Sequence, residues 1–501
     1  MNTQNRIKME QEIKIDFEKF GIGKEDIKTE ADRFLKKTEA IPHTEILHQL
    51  IEQFVPLDFE TLANPFNAEN FKLNNKHLLV LSIENTLRIA EKNRWGLCKN
   101  HDFIYLFNGT FWNEIDKESF QKFLGEAAEQ MGVTIFSARY YQFRENLFKQ
   151  FLSSAYLPTP ESNDEKVLIN LQNGTFEISP QGTNLRPFDR SDFMTYQLPF
   201  EFNPQAKAPQ FEAYLNRVLP DIDRQKVLAE YLGYVFIKHG SKEVKEEKAL
   251  VLYGTGANGK SVFFEIVNSL LGVENVSSYS LQSLTNDNGY FMAKLSNKLL
   301  NYASEINGNL EASIFKQLVS GEPVEARLPY GQPFNLKQYA KLIFNCNELP
   351  KDVEHTNAYF RRFLIIPFDV TIPPQEQDKQ LHTKIIDKEL SGVFNWVLEG
   401  LNRLLEQKRF SECEAAQRAV EQYRIESDSI QMFLGENEYI ISNTSEIALK
   451  EMYSEYRSYC IESGFKVCSI RTFADRLRNA GYQTNRKGYG MAVFAEKKSF
   501  F

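Results

Sequence analysis

The sequence predicts an α/β protein in which a mainly parallel central sheet lies between a helical and hairpin-rich region and a small C-terminal unit. Three observations support this fold class. Short apolar strands alternate with helices after residue 249, which is typical of a parallel sheet covered by helices. Two aromatic-rich runs turn at Asn108-Gly109 and Asn173-Gly174, a typical hairpin signal. A basic helix followed by a basic hairpin ends the chain.

Composition limits the classes of protein to which the chain can belong. Its 501 residues allow about three domains, and 42% hydrophobic residues with 40 Phe and 22 Tyr exclude wholesale disorder. No apolar run reaches the roughly 18 residues of a membrane span, and the charged first residues do not form a signal peptide, so we expect no membrane contact. Five cysteines without a CxxC pair argue against disulfides or a zinc ribbon and favour a cytoplasmic location. With a net charge of −8, any nucleic-acid contact must be local.

The order of patterns divides the chain into four parts. Residues 1–95 are predicted to be helical, and residues 96–240 to combine helices with the two hairpins, with a loop at 155–165. The charged run GSKEVKEEK at 240–248 is predicted to be a connector on the surface of the protein. Residues 241–435 hold the central sheet and a helical extension, and residues 440–501 form the last unit.

A phosphate-binding loop is the most specific motif. The apolar strand at 249–253 leads into GTGANGKS, which fits GxxxxGK[ST] and precedes a helix predicted at 262–271. Glycines let backbone N–H groups turn toward phosphate oxygens, the lysine reaches the β- and γ-phosphates, and the serine hydroxyl can hold Mg²⁺. The alternative, a glycine-rich turn that binds nothing, fits this strand and helix context poorly. We therefore predict a nucleotide site at Gly254, Thr255, Gly256, Ala257, Asn258, Gly259, Lys260 and Ser261.

Three later strands end or begin in polar residues suited to phosphoryl chemistry. The strand at 299–303 is followed by Ser304 and Glu305, a carboxylate able to orient or deprotonate a water. The strand at 342–345 leads to Asn347, an amide that can contact the γ-phosphate or the water, although asparagine at strand ends is also common turn chemistry. Arg361 and Arg362 precede the strand at 363–368, where either an arginine finger or a pair of solvated arginines is possible.

Taken in order, these motifs resemble superfamily 3 helicases. The runs GTGANGKS, FKQLVSGEPVEARLPYGQPF, LIFNCNELP and YFRRFLIIPF are most similar to the phage/plasmid primase-helicase family related to the poxvirus helicase-primase. The motif region covers about residues 249–370, and a weaker likeness, including EYLGYVF, extends back to about residue 100.

The resemblance implies an AAA+-like P-loop ATPase that uses ATP and Mg²⁺, assembles as a hexameric ring and translocates on single-stranded DNA. It makes Lys260 and Ser261 part of the nucleotide loop, Glu305 the catalytic acid and Asn347 the polar sensor. Arg362 is the better finger candidate, because its spacing to the following IIPF run fits the motif, and Arg361 is the second choice. Ser304 stands where many phosphate-loop ATPases have Asp, which leaves Ser261, phosphate oxygens and water, with Glu305, to hold the metal.

Two regions are candidates for DNA contact. The resemblance implies that residues 324–334 form a hairpin projecting into the pore, with Arg327, Tyr330 and Gln332 touching DNA, although the Pro and Gly content also suits a plain surface turn. Residues 464–501 hold eight Lys and Arg against two Asp and Glu, and resemble a winged-helix domain. A basic helix beside a basic wing suits duplex DNA, through Arg471, Arg476, Arg478, Arg486 and Lys487, whereas a helical lid or a protein-binding domain is the alternative.

The expected function is an ATP-dependent DNA helicase in the replication of a phage, plasmid or mobile element, in the cytoplasm of a bacterial host. Its expected partners are single-stranded and forked DNA, further copies of itself, and a separate primase, because the only DxD, Asp221-Ile-Asp223, reads as a helix cap. Two alternatives stay open. One is a DNA-stimulated ATPase that remodels or loads other proteins, and the other is a sequence-specific DNA-binding initiator that uses nucleotide as a switch.

Overall fold

The computed structural model describes residues 42–100, 103–155, 166–286, 289–304, 306, 311–328, 332–350 and 353–498. The protein is of mixed α/β class, as predicted. The chain divides into two compact units. One holds residues up to 162 together with 170–176 and 184–197, and the other holds the remaining residues.

The first unit combines helices with a small antiparallel sheet. Strands β1 (Leu97–Asn100), β2 (Phe103–Phe107) and β3 (Trp112–Ile115) pair in the order β1-β2-β3. The predicted turn between β2 and β3 is confirmed, because Asn108 Oδ1 accepts the N–H groups of Thr110 (3.1 Å) and Phe111 (2.9 Å). The helices are His43–Ile51, Phe59–Ala63, Asn75–Lys92, Lys117–Gln130, Ile135–Arg139 and Tyr141–Ser154, and a 3₁₀ turn spans Arg190–Asp192.

A second small sheet contains the other predicted hairpin. Strands β4 (Val167–Leu171), β5 (Gly174–Ser179) and β6 (Gly182–Arg186) lie in the order β4-β5-β6, and their residues divide between the two units. The chain turns between β4 and β5 beside Gly174, as the Asn-Gly signal predicts. Of the predicted loop at 155–165, residues 156–165 lie outside the described residues.

The second unit contains a five-stranded sheet in which every neighbouring pair is parallel. Its strands are β7 (Ala249–Tyr253), β8 (Val276–Ser277), β9 (Leu300–Ala303), β12 (Lys341–Cys346) and β13 (Phe363–Pro367), in the order β13-β7-β12-β9-β8. Four of these strands were predicted, whereas β8, only two residues long, gives no sequence signal. Strands β10 (Val324–Ala326) and β11 (Phe334–Leu336) form a separate antiparallel hairpin.

Helices surround this sheet. Two of them, Ile222–Tyr234 and Leu381–Gln407, pack closely because each has a glycine at the contact. A Cβ added at Gly233 would lie 2.7 Å from the Leu401 backbone, and one at Gly400 would lie 2.3 Å from the Ala229 backbone. The helices that precede and follow the sheet are therefore in intimate contact. The helices are Pro209–Val218, Ile222–Tyr234, Lys260–Leu271, Leu281–Leu284, Tyr290–Ala293, Ala312–Ser320, Asn357–Phe360, Leu381–Gln407 and Glu414–Glu426, with 3₁₀ turns at Val273–Asn275 and Pro374–Glu376.

The C-terminal part of the second unit is built from three helices and short antiparallel strands. The helices are Ser429–Glu436, Leu449–Ser463 and Ile470–Asn479, and the strands are β14 (Tyr439–Ile441), β15 (Ile447–Ala448), β16 (Thr484–Lys487), β17 (Gly490–Val493) and β18 (Ala495–Lys497). They form the sheets β14-β18 and β15-β17-β16, so the predicted basic helix and hairpin are confirmed. Ile430 and Phe433 belong to its buried core, which therefore begins about ten residues before the boundary predicted at residue 440.

Within the described ranges, none of the helices has the length and apolar character that crossing a bilayer requires.

Candidate nucleotide site

A cavity of about 840 Å³ lies where the chain leaves β7. The carboxyl edge of a parallel sheet is where ligands bind in α/β folds. The cavity brings together most of the predicted nucleotide loop with polar residues from the ends of β9 and β12. Its lining from these parts consists of Gly256, Ala257, Asn258, Gly259, Lys260, Ser261, Ser304, Asn345 and Asn347.

The shape of the loop depends on glycine at particular positions. A Cβ added at Gly254 would lie 2.3 Å from Asn258 Nδ2 and 2.5 Å from the Phe368 carbonyl oxygen, so that position has no room for a side chain. Gly259 adopts φ +88°, a left-handed conformation that side chains disfavour, just before the helix Lys260–Leu271 begins. These constraints explain why the motif has glycine at its first and sixth positions.

Lys260 is a buried cation held by neutral oxygens. Its Nζ donates to the Gly254 carbonyl (2.6 Å) and to Asn258 Oδ1 (3.1 Å), and the residue is 6% exposed. Burial lowers the pKa of Lys260. In the part of the chain that the structure describes, no carboxylate forms an ion pair with it, so its charge is available to an anionic ligand. This environment fits the phosphates of ATP.

Polar side chains at two strand ends complete the inner side of the cavity. Because β12 lies between β7 and β9, Asn345 and Asn347 sit between the phosphate loop and Ser304. The Tyr302 hydroxyl donates to Asn345 Oδ1 (3.0 Å), which fixes one of the two amides. Glu305 lies outside the described residues, but Ser304, immediately before it, lines the cavity.

The outer wall of the cavity comes from segments that sequence motifs did not reveal. The helix Pro209–Val218 contributes Tyr214, whose hydroxyl donates to the Gly259 carbonyl (2.8 Å), and Arg217, which pairs with Glu376 (2.7 Å). The N–H of Ile372 donates to the Ala257 carbonyl (2.8 Å). These contacts join residues more than 40 positions apart, and no local spacing signals them. Gln210, Ala213, Val218, Val262, Phe264, Glu265, Gln377, Asp378, Lys379 and Leu381 complete the lining.

The chain offers few ligands for a metal ion. Across the described ranges, no group of three His, Cys, Asp or Glu side chains is arranged to hold one. The exposed Ser261 hydroxyl, on the first turn of the helix Lys260–Leu271, fits a Mg²⁺ ion that is otherwise bound by nucleotide oxygens and water. Glu305, the other predicted metal ligand, is among the residues not described.

Arg361 and Arg362 lie at the amino ends of the parallel strands, whereas the phosphate loop lies at their carboxyl ends. They precede β13, which runs parallel to β7 with Phe363 opposite Ala249, whereas the loop follows β7. Five residues at about 3.3 Å each separate the two edges by roughly 16 Å. The arginines and the phosphate loop of one chain are therefore not parts of one site.

The two arginines have different surroundings. The Arg362 side chain is 9% exposed and donates to the Lys316 carbonyl (3.2 Å), to Ser320 Oγ (2.7 Å) and to the Ala358 carbonyl. The Arg361 side chain is 58% exposed, and its guanidinium contacts Glu247 (3.3 Å). Motif spacing favours Arg362 as the finger, but Arg361 is the one that is accessible.

The hairpin predicted at residues 324–334 is present as β10 and β11, and Arg327 follows its first strand. The Arg327 guanidinium lies over the Tyr290 ring, 5.1 Å from its centroid, and Nη2 donates to the Tyr290 hydroxyl (3.3 Å). Gln332 is exposed, and Tyr330 lies outside the described residues.

The predicted duplex contacts in the C-terminal part divide into two groups. Arg476 pairs with Asp428 (2.5 Å), Lys487 pairs with Glu446 (2.9 Å), and Arg478 contacts Asp475. Arg471 and Arg486 are exposed, and no ion pair among the described residues involves their side chains.

Comparison with known proteins gives matches over two regions. Residues 87–220 match the family model described as D5 N terminal like, and residues 252–362 match a family of unknown function, DUF5906. The "Putative helicase L207/L206" of Acanthamoeba polyphaga mimivirus is 26% identical over 241 residues, or 45% of this chain, and the match spans only 24% of that relative's length.

Solved structures of the NrS-1 C-terminal region are similar over most of the chain. In one apo form the match covers 81% of this chain and 98% of the other, at 13% identity and a TM-score of 0.45. In a second it covers 82% and 98%, with a TM-score of 0.46.

Proposed function

We propose that the chain is a phage-type primase-helicase and that it acts as an ATP-dependent DNA helicase in the replication of a phage, plasmid or mobile element. The observation that carries the proposal is the cavity at the carboxyl edge of the parallel sheet. There a buried lysine, which has no carboxylate partner among the described residues, faces the polar ends of two neighbouring strands. The order β13-β7-β12-β9-β8 supports an AAA+-like P-loop core, because it sets β12, with its two asparagines, beside the phosphate loop.

Each side chain has a distinct task in this proposal. Lys260 exchanges its neutral acceptors, the Gly254 carbonyl and Asn258, for phosphate oxygens, and the N–H groups of the loop bind the same anion. Asn345 and Asn347 hold the γ-phosphate or the attacking water, and Glu305 accepts a proton from that water. Ser261 would hold Mg²⁺, and a metal bound there would neutralise charge on the phosphates.

The position of the arginines supports an assembly of several subunits. An arginine roughly 16 Å from the phosphate loop of its own chain reaches a phosphate only in a neighbouring subunit. We assign this role to Arg361, because its guanidinium is exposed, and a structural role to Arg362, whose donors are occupied within the chain. A closed ring, with six subunits as the family resemblance implies, provides such an interface at every nucleotide.

Two surfaces are proposed to contact DNA. The hairpin β10–β11, with Arg327, Tyr330 and Gln332, contacts the translocated strand in the pore. The exposed Arg471 and Arg486 supply duplex contacts on the C-terminal helix and wing.

ATPase and strand-displacement assays test the proposal. We expect single-stranded DNA to stimulate ATP hydrolysis, and a forked duplex to be unwound only with ATP. Lys260→Ala abolishes both activities, whereas Lys388→Ala, at an exposed position on the helix Leu381–Gln407, does not. Stimulation without unwinding would instead indicate a remodeller or loader. Tight duplex binding with negligible turnover would indicate a nucleotide-switched initiator.

A further inference from the structure

The charged connector at 240–248 ends in two residues that contact Arg361. Glu247 Oε2 lies 3.3 Å from Arg361 Nη2, and Lys248 Nζ donates to the Arg361 carbonyl oxygen (2.6 Å). The same Glu247 oxygen lies 3.5 Å from Arg362 Nη2. One carboxylate is therefore shared by two consecutive arginines.

The two arginines differ in burial and in the number of contacts within the chain, and this difference gives Glu247 a defined position. Arg362 is fixed by the helix Ala312–Ser320 through Lys316 and Ser320, and its side chain is 9% exposed. Glu247, at 24% exposed, rests against this fixed cation and presents its carboxylate to Arg361. An arginine has five N–H donors, so the contact with Glu247 restricts the direction of the exposed guanidinium and leaves its other donors free.

We propose that Glu247 is a positioning residue that orients the Arg361 guanidinium toward nucleotide held by a neighbouring subunit. This inference rests on the proposed function, because it requires Arg361 to act across a subunit interface. It assigns a role to the end of the connector, which has no motif of its own.

The chain position of Glu247 connects its contact with Arg361 to the phosphate loop of the same subunit. Glu247 and Lys248 lead directly into β7, and the N–H of Ala249 donates to the Arg362 carbonyl (2.8 Å). β7 and β13 remain in register from this point to Tyr253, where the phosphate loop begins. The contact that orients the finger is thus continuous with the strand that carries the same subunit's own nucleotide loop.

Steady-state ATPase kinetics on the full chain, with saturating single-stranded DNA, test the proposal. We expect Glu247→Gln and Glu247→Ala to lower kcat by about two- to fivefold, the range expected of one partly exposed ion pair, without changing KM for ATP. Glu247→Asp, which keeps a carboxylate on a shorter side chain, should lower kcat less than these two variants. Glu243→Gln is the matched control, because Glu243 lies in the same connector, pairs with Lys408 (3.6 Å) and has no ion pair with either arginine.

A double variant separates positioning from general structural support. If Glu247 acts through Arg361, Glu247→Ala adds no further loss of kcat to Arg361→Ala. A further loss of the same size in the double variant, or single Glu247 variants as fast as or faster than the wild type, would show the inference to be wrong. If Arg361→Ala itself keeps the wild-type rate, the assignment of Arg361 as the finger is wrong, and the inference about Glu247 is wrong with it. If Arg361→Ala is inactive and Glu247→Gln unimpaired, only the inference is wrong.

Discussion

Arg476 and Asp428 form an ion pair (2.5 Å) that ties the helix Ile470–Asn479 to the start of the helix Ser429–Glu436. Asp428 Oδ1 also accepts the N–H groups of Ile430 (2.9 Å) and Gln431 (3.0 Å), so the same carboxylate caps that helix. Burial and the charge of Arg476 lower the pKa of the nearby His355, so Arg476 is the cationic partner of Asp428 at neutral pH. Arg476, which the basic pattern predicts to contact DNA, thus forms an ion pair within the chain.

Arg476→Ala should therefore lower stability more than DNA affinity. Removing the guanidinium leaves the largely buried Asp428 without its partner, and we expect a loss of about 1–3 kcal/mol in the free energy of unfolding of the C-terminal part. Arg471→Ala, on the exposed side of the same helix, should leave stability unchanged and weaken duplex binding. Urea denaturation and fluorescence anisotropy at fixed salt measure the two effects. Equal losses of duplex affinity in two stably folded variants would contradict this division.

A variant that lacks the C-terminal part should remain folded only if the truncation removes the whole buried core of that part. Phe433 is fully buried, with its ring centroid 5.7 Å from that of Tyr456, so a chain ending at residue 439 would expose Ile430 and Phe433. A chain ending at Ser427 should remain soluble, hydrolyse ATP, and bind duplex DNA more weakly and with a flatter salt dependence. Each lost phosphate contact reduces the slope of log K against log salt by about 0.9. Unchanged duplex affinity would make the C-terminal part a protein-binding or lid element.

Glu305→Gln should bind ATP with little hydrolysis, because an amide cannot accept a proton from water. Nucleotide binding by fluorescence and phosphate release by a coupled assay separate the two properties. Glu311→Gln, a nearby exposed acid, is the control and should hydrolyse ATP normally. If Glu305→Gln fails to bind ATP, the residue holds the metal or supports the structure instead.

The sequence predicts local features of this site well and long-range ones poorly. The loop at 254–261 and the strand leading to Asn347 follow from residue order, because strand, glycine turn and helix are adjacent in the chain. Tyr214 and Glu376 could not be predicted as cavity residues, because helix packing brings them there across more than 40 and 110 positions from Gly259. Asn345 was missed although it has the same signal as Asn347, a polar residue near the end of an apolar strand. Motif spacing also gives no information on the exposure of Arg361 and Arg362, since burial of the Arg362 guanidinium depends on Ser320, 42 residues away.

Lys341 should make stability depend on pH in the alkaline range. Its buried Nζ contacts His239 Nδ1 (3.1 Å) and the Tyr234 ring (4.1 Å from the centroid), and burial lowers its pKa to about 7. Between pH 7 and the ordinary lysine pKa of 10.5, the unfolded chain binds a proton that the folded chain does not. The free energy of unfolding should therefore rise with pH in this window, by up to about 1.4 kcal/mol per pH unit.

Chemical denaturation between about pH 7 and pH 9.5 measures this slope. Lys341→Met, which keeps the length of the side chain without its charge, should flatten the slope and raise stability at pH 7. Lys388→Met, at an exposed position, should change neither. A slope that persists in Lys341→Met would assign the proton uptake to another group.

Mixed assemblies test whether Arg361 acts across an interface. Arg361→Ala should bind ATP almost normally and lose hydrolysis, by a factor on the order of 10³–10⁵ where such fingers have been measured. Lys260→Ala should lose hydrolysis because its own phosphate site is impaired. In a ring containing both variants, some interfaces join an intact Lys260 site to an intact Arg361 from the neighbouring subunit. Two inactive proteins should therefore regain ATPase activity when they are mixed under conditions of subunit exchange.

Arg362→Ala distinguishes the two arginines in the same experiment. Because Arg362 donates to Lys316, Ser320 and Ala358 within its own chain, its removal should lower the free energy of unfolding by about 1–3 kcal/mol. A structural loss of this kind affects the subunit that carries it. Arg362→Ala that still folds should therefore keep ATPase activity of its own, and mixing it with Lys260→Ala should not raise that activity. Recovery with Arg362→Ala alone would make Arg362, as motif spacing suggests, the residue that reaches the neighbouring nucleotide. If neither mixture recovers although the variants assemble together, neither arginine acts across the interface.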